Sequence, residues 1–306
     1  MAFPSYIQPK DRVLASLAAR FDDSNSHPDG KAITVGGYLA HESRWNAFIP
    51  EWQAFLKRCG LTEPWHQNKF AAVWDGKTPY DKNKNPYADW SLEECTARFK
   101  EAALIINRHV EVAIAVTVDR DLFKQATTKE AKTKCGDEYG LAVLACVREA
   151  ARIGEHLFPG SRIACQFETK QGANEAKGFV TDFSLYSGWS VEIGDAGSET
   201  KRFPPLQAAD ILAWEWYRDS ERYFGRDPRP RREALKLLGD APDGPRLALW
   251  RMAGDEIAMW STMLSAWGLT PYGKQKSDEP RPEPPPLPER FKPQGVVIDL
   301  TGRERS

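Results

Sequence analysis

One stretch of the chain, VEVAIAVTV at residues 110–118, limits the folds that this sequence can adopt. It is almost continuously apolar and rich in β-branched residues, which is typical of a β-strand. A strand without alternating polar residues lies in the interior of a sheet that is covered on both faces. The sequence therefore predicts a layered protein in which helices pack against a central sheet.

Strand and helix patterns alternate along the rest of the chain. Two extended runs, one ending near Asp22 and one over residues 32–40, flank a Pro-Asp-Gly turn signal and predict a hairpin. The first run is rich in alanine and could instead be helical. Further strands are predicted at RIACQFET and SVEIG, and helices are predicted at residues 43–59, 91–109, 138–157, 174–186 and 206–222. This order indicates an α/β fold with a mixed sheet and flanking helices.

Three parts of the chain differ in composition. Residues 1–222 carry the alternating pattern and are predicted to form the main domain. Residues 223–273 are predicted to form a C-terminal helical extension packed on it, with a tryptophan-lined helix over residues 246–267. Residues 274–306 form a tail that is charged and Pro-rich over most of its length, which favours an extended, flexible segment.

Composition and charge exclude several classes of function. Hydrophobic residues make up 41% and charged residues 28% of the 306 residues, as in ordinary globular proteins. The net charge of −1 provides no global field that attracts nucleic acid, so such binding would need a local patch or metal ions. Five scattered cysteines without a CxxC pair argue against a zinc site and for a reducing compartment. Without a signal peptide or a run of 18 apolar residues, we expect a soluble, cytoplasmic protein with no membrane partner.

Acidic residues end two of the predicted strands. Asp22 and Asp23 close the first strand, and Glu168 closes the strand RIACQFE. In open α/β sheets, catalytic and binding residues collect at the carboxyl ends of strands. From the residues alone, the first pair could equally be turn residues that accept backbone hydrogen bonds, and Glu168 could begin the next turn.

A fourth acid lies within an apolar helix. Asp210, in PLQAADILAWEW, shares a helical face with Leu206, Ala213 and Trp214, so its carboxylate lies in the stripe that should face the core. A buried carboxylate takes up a proton, pairs with a cation such as Arg202, or binds a metal. If these acids converge, their oxygen ligands would select Mg²⁺ or Mn²⁺. Two such ions can activate water and stabilise the leaving oxygen in phosphodiester cleavage.

Other features allow two interpretations each. The basic runs GRDPRPRRE and DKNKN could contact phosphates or could be solvated loops. The eleven tryptophans could stack on bases, although most follow the spacing of helix cores.

Several segments together resemble the domain-of-unknown-function family 3800, which belongs to the ribonuclease H-like superfamily. The matching segments are FDDS at 21–24, ITVGGYLA at 33–40, RWNAFIPEWQAFLKRCG at 44–60, WHQNKF at 65–70 and PLQAADILA at 205–213. The resemblance covers roughly residues 18–222, and PLQAAD is its most specific element. This chain has DDSN where the family more often has DESG, so the glycine is missing and the second acid is shorter.

The resemblance implies roles for five residues. Asp22, Glu168 and Asp210 correspond to the first-strand, central-strand and late-helix acids of a metal-dependent nuclease-type site. Asp23 occupies the second acidic position, and His66 matches the histidine that follows the aromatic helix, although a structural role for His66 is open.

The expected function is therefore a Mg²⁺- or Mn²⁺-dependent nuclease that hydrolyses phosphodiesters of DNA or RNA. Asp22, Glu168 and Asp210 would hold the metal, and Asp23 or His66 would orient the water or the leaving group. The alternative is a non-catalytic interaction protein of the same fold. It would bind a protein partner through its Trp-rich C-terminal helix and its Pro-rich tail.

Overall fold

Six strands pair into one mixed sheet in the computed structural model of the protein. The structure describes residues 16–24, 30–76, 85–168, 174, 191–195, 202–230, 233–239 and 245–266. The strands are β1 (Ser16–Ser24), β2 (Ala32–His41), β3 (Val112–Asp119), β4 (Arg162–Phe167), β5 (Val191–Asp195) and β6 (Arg246–Met252), in the order β5-β4-β1-β2-β3-β6. Strand β2 is antiparallel to both neighbours and the other pairs are parallel. The carboxyl ends of β1, β3, β4, β5 and β6 therefore share one edge of the sheet.

Helices flank the sheet as the sequence predicts. They are α1 (Glu42–Arg58), α2 (Gln67–Trp74), α3 (Leu92–His109), α4 (Arg120–Ala126), α5 (Lys129–Cys135), α6 (Glu138–Leu157), α7 (Pro204–Tyr223), α8 (Glu233–Leu237) and α9 (Gly254–Ala266). The predictions for α1, α3, α6 and α7 are confirmed to within two residues at each end. The helix predicted at residues 174–186 lies outside the described residues, except for residue 174.

The two faces of the sheet are covered by different helices. Leu17 and Phe21 of β1 belong to the core cluster that contains α6, whereas Ala18 belongs to the cluster that contains α1, α3 and α7. Every residue of β3 is buried, which confirms that this strand is covered on both sides. Helix α7 lies close to the sheet, because a Cβ atom on Gly36 would come within 3.0 Å of the Ala213 Cα atom. The hairpin of β1 and β2 is also confirmed, so the alanine-rich first run is a strand.

The helix predicted over residues 246–267 is wrong in its first part. Arg246–Met252 forms strand β6, which pairs in parallel with β3. Its alternate residues pack on opposite faces of the sheet, and this period-2 pattern was hidden because Trp250 also fits the helical spacing of Ile257 and Trp260. The predicted helical extension therefore adds a sixth strand to the central sheet, and its described helices are Glu233–Leu237 and Gly254–Ala266. The tail at residues 274–306 lies outside the described residues.

Candidate active site

Two of the predicted site residues lie side by side at the carboxyl edge of the sheet. Asp22, in β1, pairs with Gly36, so its side chain is on the face that α7 covers. Glu168 follows the last residue of β4, and its backbone N–H donates to the Phe21 carbonyl oxygen at 3.1 Å. This bond fixes the backbone of Glu168 beside Asp22.

The third acid comes from helix α7. Two prolines at the start of α7 supply its first turn, where the missing N–H groups cost nothing. Asp210 lies on the half-buried side of this helix, and its Oδ2 atom accepts a hydrogen bond from the backbone N–H of Gln67 at 2.9 Å. Arg202, the alternative partner from the sequence, is exposed.

These acids surround one small cavity of about 20 Å³, which has room for about one water molecule. The residues lining it are Asp22, Trp65, His66, Glu168, Leu206, Gln207 and Asp210. The structure therefore brings together four of the five predicted site residues, from parts of the chain that are up to 188 positions apart.

Like charges crowd this cavity. Burial raises the pKa of the Asp22 carboxyl well above its usual value of 3.8, and the hydrogen bond with Glu168 and the negative charge of Asp210 raise the pKa further. Glu168 and Asp23 add smaller repulsive contributions to this pKa. These neighbours therefore disfavour ionisation of Asp22, and a bound cation would favour it.

The donor set fits a hard divalent cation in its chemistry, because carboxylate oxygens are the ligands that Mg²⁺ and Mn²⁺ prefer. Within the described ranges, no group of three or more His, Cys, Asp or Glu side chains is arranged so that it could hold a metal ion. The Glu168 side chain is instead a hydrogen-bond partner of the Asp22 carboxyl and raises its pKa. Metal binding would compete with this hydrogen bond.

The remaining two predicted residues differ in their positions. Alternation along β1 turns the Asp23 side chain toward the opposite face from Asp22, and Asp23 is not among the residues that line the cavity. Its backbone N–H donates to the Asp22 Oδ1 atom at 2.7 Å. His66 lines the cavity, and its backbone N–H donates to the Tyr87 hydroxyl oxygen at 2.9 Å.

Sequence reasoning missed two glutamines that support the site. Gln67 is fully buried, accepts a hydrogen bond from the Trp65 indole at 2.8 Å and donates to the buried Glu215 carboxylate at 2.7 Å. Gln207 accepts hydrogen bonds at 2.9 Å from the Trp52 indole and from the Trp65 backbone N–H. A signal was present, since both amides lie in segments, WHQN and PLQAAD, that also carry predicted site residues.

No protein-family model matches this chain, and no curated protein sequence matches it. The resemblance to the domain-of-unknown-function family 3800 thus depends on the motifs quoted above. The described helices include none with the length and apolar character needed to cross a membrane.

Proposed function

We propose that this protein is a divalent-metal-dependent hydrolase of the nuclease type, on a ribonuclease H-like variant of the α/β fold. The observation that carries the proposal is the convergence of Asp22, Glu168 and Asp210 around one cavity at the carboxyl edge of the sheet. Crowded carboxylates reduce stability because each disfavours ionisation of the others. Such arrangements occur where chemistry requires them, so they support a functional site.

In this proposal, Asp22, Glu168 and Asp210 hold Mg²⁺ or Mn²⁺. The bound ions would activate a water molecule and stabilise the leaving oxygen of a phosphodiester. The Gln67 N–H group holds one oxygen of Asp210 and thereby orients its carboxylate. Of the two residues expected to orient water or the leaving group, the geometry favours His66, because it lines the cavity and Asp23 does not.

The alternative function, partner binding through a Trp-rich helix, has less support. Trp260 is 5% exposed and Trp250 packs against the same core cluster, so both indoles contribute to the interior. The Pro-rich tail that the alternative also requires lies outside the described residues.

The test is cleavage of labelled DNA and RNA, single-stranded and duplex, with Mg²⁺, Mn²⁺ or EDTA. We expect wild-type protein to cleave at least one substrate only when a divalent ion is present, and Asp210→Asn to lose this activity. Glu101→Gln serves as a matched control, since Glu101 forms a surface ion pair with Arg58 away from the cavity. Equal cleavage by wild type and Asp210→Asn would contradict the proposal.

A further inference from the structure

A row of side chains leads away from the candidate active site along helix α7. Asp210, Trp214, Arg218 and Arg222 follow one another at intervals of four residues, and all four are half-buried. Residues four apart are neighbours on a helix surface, so these side chains form a continuous row, which we call the α7 row. Each step rises about 6 Å, which puts Arg218 about 12 Å from Asp210 along the helix axis.

The far end of the α7 row lines a second, larger cavity of about 240 Å³. The residues around this cavity are Asp75, Glu215, Arg218, Asp219, Arg222, Asp227, Arg229, Pro230 and Leu235. The two ends of one row thus adjoin two cavities that differ in composition. The first has carboxylates and no arginine, whereas the second has three arginines beside four acids.

The arginines of the second cavity share their acidic partners. Asp227 accepts hydrogen bonds from both Arg218 and Arg229, and Asp219 accepts from both Arg222 and Arg251. A guanidinium group carries five N–H donors, so one carboxylate divided between two arginines leaves donors for a further anion. Planar pairs of N–H donors match the oxygens of a phosphate group.

The described sequence around this cavity has a small excess of arginine. Residues 217–230 contain four arginines and three acidic residues, within a chain whose net charge is −1. In a chain without a global positive field, nucleic-acid binding requires arginines of this kind on the surface that it contacts.

Trp214 occupies the middle of the α7 row, between the carboxylate and the arginines. The Arg218 guanidinium lies 5.7 Å from the centroid of the Trp214 ring. Two residues further on, Trp216 is 1% exposed and its indole donates to the Trp250 carbonyl oxygen at 3.0 Å, which is a core role. Helix α7 therefore has one indole in the core and one on the half-buried row. An indole beside guanidinium groups combines the two elements with which proteins bind single strands.

We propose that the α7 row is the binding track for single-stranded nucleic acid. A phosphodiester would lie at Asp210, an unpaired base would stack on Trp214, and a neighbouring phosphate would contact Arg218 and Arg222. A single strand fits because the bases of a duplex are already paired and stacked on each other, whereas an unpaired base can turn onto an indole. This inference rests on the proposed function and narrows its substrate class.

The test is fluorescence anisotropy of labelled DNA and RNA oligonucleotides of about 20 nucleotides, single-stranded or duplex, in buffer with EDTA so that binding is measured without cleavage. We expect Trp214→Ala to weaken single-strand affinity about tenfold and Trp214→Phe to recover most of the loss. Arg222→Gln should reduce the slope of log affinity against log salt by about one, as for one lost phosphate contact. Arg58→Gln, a matched change at the exposed Arg58–Glu101 pair, should leave this slope unchanged.

Unchanged single-strand affinity in Trp214→Ala, with an unchanged thermal melt, would overturn the track. Equal or tighter binding of duplexes would overturn its preference for single strands. The outcomes also separate the track from the proposed function. Metal-dependent cleavage that does not change in Trp214→Ala would support the proposed nuclease activity and reject the binding track. Single-strand binding that depends on Trp214, without any cleavage, would support the binding track and reject the nuclease activity. Absence of binding by wild type would reject the track.

Discussion

Two buried aspartates, Asp22 and Asp219, lie on the same side of the sheet and differ in the residues around them. Asp22 is 8% exposed, and the neighbours that act on its carboxyl are Glu168, Asp210 and Asp23, all of them acids. Asp219 is 5% exposed and forms ion pairs with Arg222 and Arg251. At similar burial, Asp219 is compensated by arginines and Asp22 is surrounded by like charges.

This difference supports a structural role for Asp219 and the proposed functional role for Asp22. A paired aspartate such as Asp219 joins α7 to β6 and costs stability when its partner is removed. Asp22 has acidic neighbours that disfavour its ionised form, which supports the proposed site. The comparison predicts that substitutions at the two aspartates change the stability of the metal-free protein in opposite directions.

The largest effect is expected for Asp219→Asn. The change leaves Arg251, whose side chain is 6% exposed, without its carboxylate in the interior, and breaking a buried pair in this way costs about 3–5 kcal/mol. Urea denaturation of wild type and variant measures this loss. If the free energy of unfolding fell by less than about 1 kcal/mol, as for an exposed ion pair, the distinction between Asp219 and Asp22 would be lost.

Asp210→Asn should act mainly on metal binding and cleavage. Mutation of a residue that only supports a metal ligand typically lowers metal affinity or activity by about 10- to 100-fold. We therefore expect loss of a ligand itself to reduce cleavage by about 100-fold or more. Mn²⁺ should raise the melting temperature of wild type and leave that of the variant unchanged, since stabilisation by a ligand requires binding to the folded state.

The metal-free melt adds a control within the same experiment. Without metal, Asp210→Asn should be at least as stable as wild type, because it removes one of the crowded charges. A variant that is less stable without metal, yet stabilised by Mn²⁺ as much as wild type, would assign Asp210 a structural role.

Asp22→Asn should change the pH dependence of stability. The folded-state pKa of Asp22 is raised above its usual value of 3.8, so the folded state holds this proton more tightly than the unfolded state. The stabilisation is complete below pH 3.8 and is lost as the pH rises through the folded-state pKa. At neutral pH without metal, the variant should therefore melt a few degrees above wild type and lack this decline. Melts across the acidic and neutral range test it, and a variant that melts lower at neutral pH would mean that the Asp22 charge is compensated.

Local periodicity was sufficient to predict most of the fold. It also put Asp22 and Glu168 at strand ends and Asp210 on an apolar helix, and these three acids line one cavity. The hairpin, β3, α6 and α7 follow from patterns within short windows, and alternation along RIACQFE already put Glu168 on the opposite face from Phe167. Strand β6 was missed because its identity depends on pairing with β3, and Trp250 happened to fit a helical spacing.

The support around the site depends on tertiary contacts that no local pattern encodes. Gln67 and Asp210 are 143 positions apart, and a window of sequence contains no sign that the backbone N–H of one donates to the carboxylate of the other. The pair between Asp219 and Arg251 spans 32 positions, and Arg251 lies on a strand that was predicted as a helix. The sequence indicates which residues are candidates for the site. Which of them contact one another depends on the fold.

The smallest effect is expected for Asp23→Asn. Asp23 is adjacent to Asp22 in the chain, but strand alternation turns its side chain to the other face, and its contact with Asp22 is made by the backbone N–H, which the substitution retains. The variant loses the negative charge of the Asp23 side chain, which is the smallest of the contributions that raise the pKa of Asp22. Cleavage should therefore change less than about threefold, and Mn²⁺ should stabilise the variant as it does wild type. The same cleavage and melting assays, run beside Asp210→Asn, provide the comparison. If Asp23→Asn lost activity and Mn²⁺ stabilisation to the extent of Asp210→Asn, the second acid of FDDS would reach the metal, and the strand would have to turn or bulge at Asp23 when the ion binds.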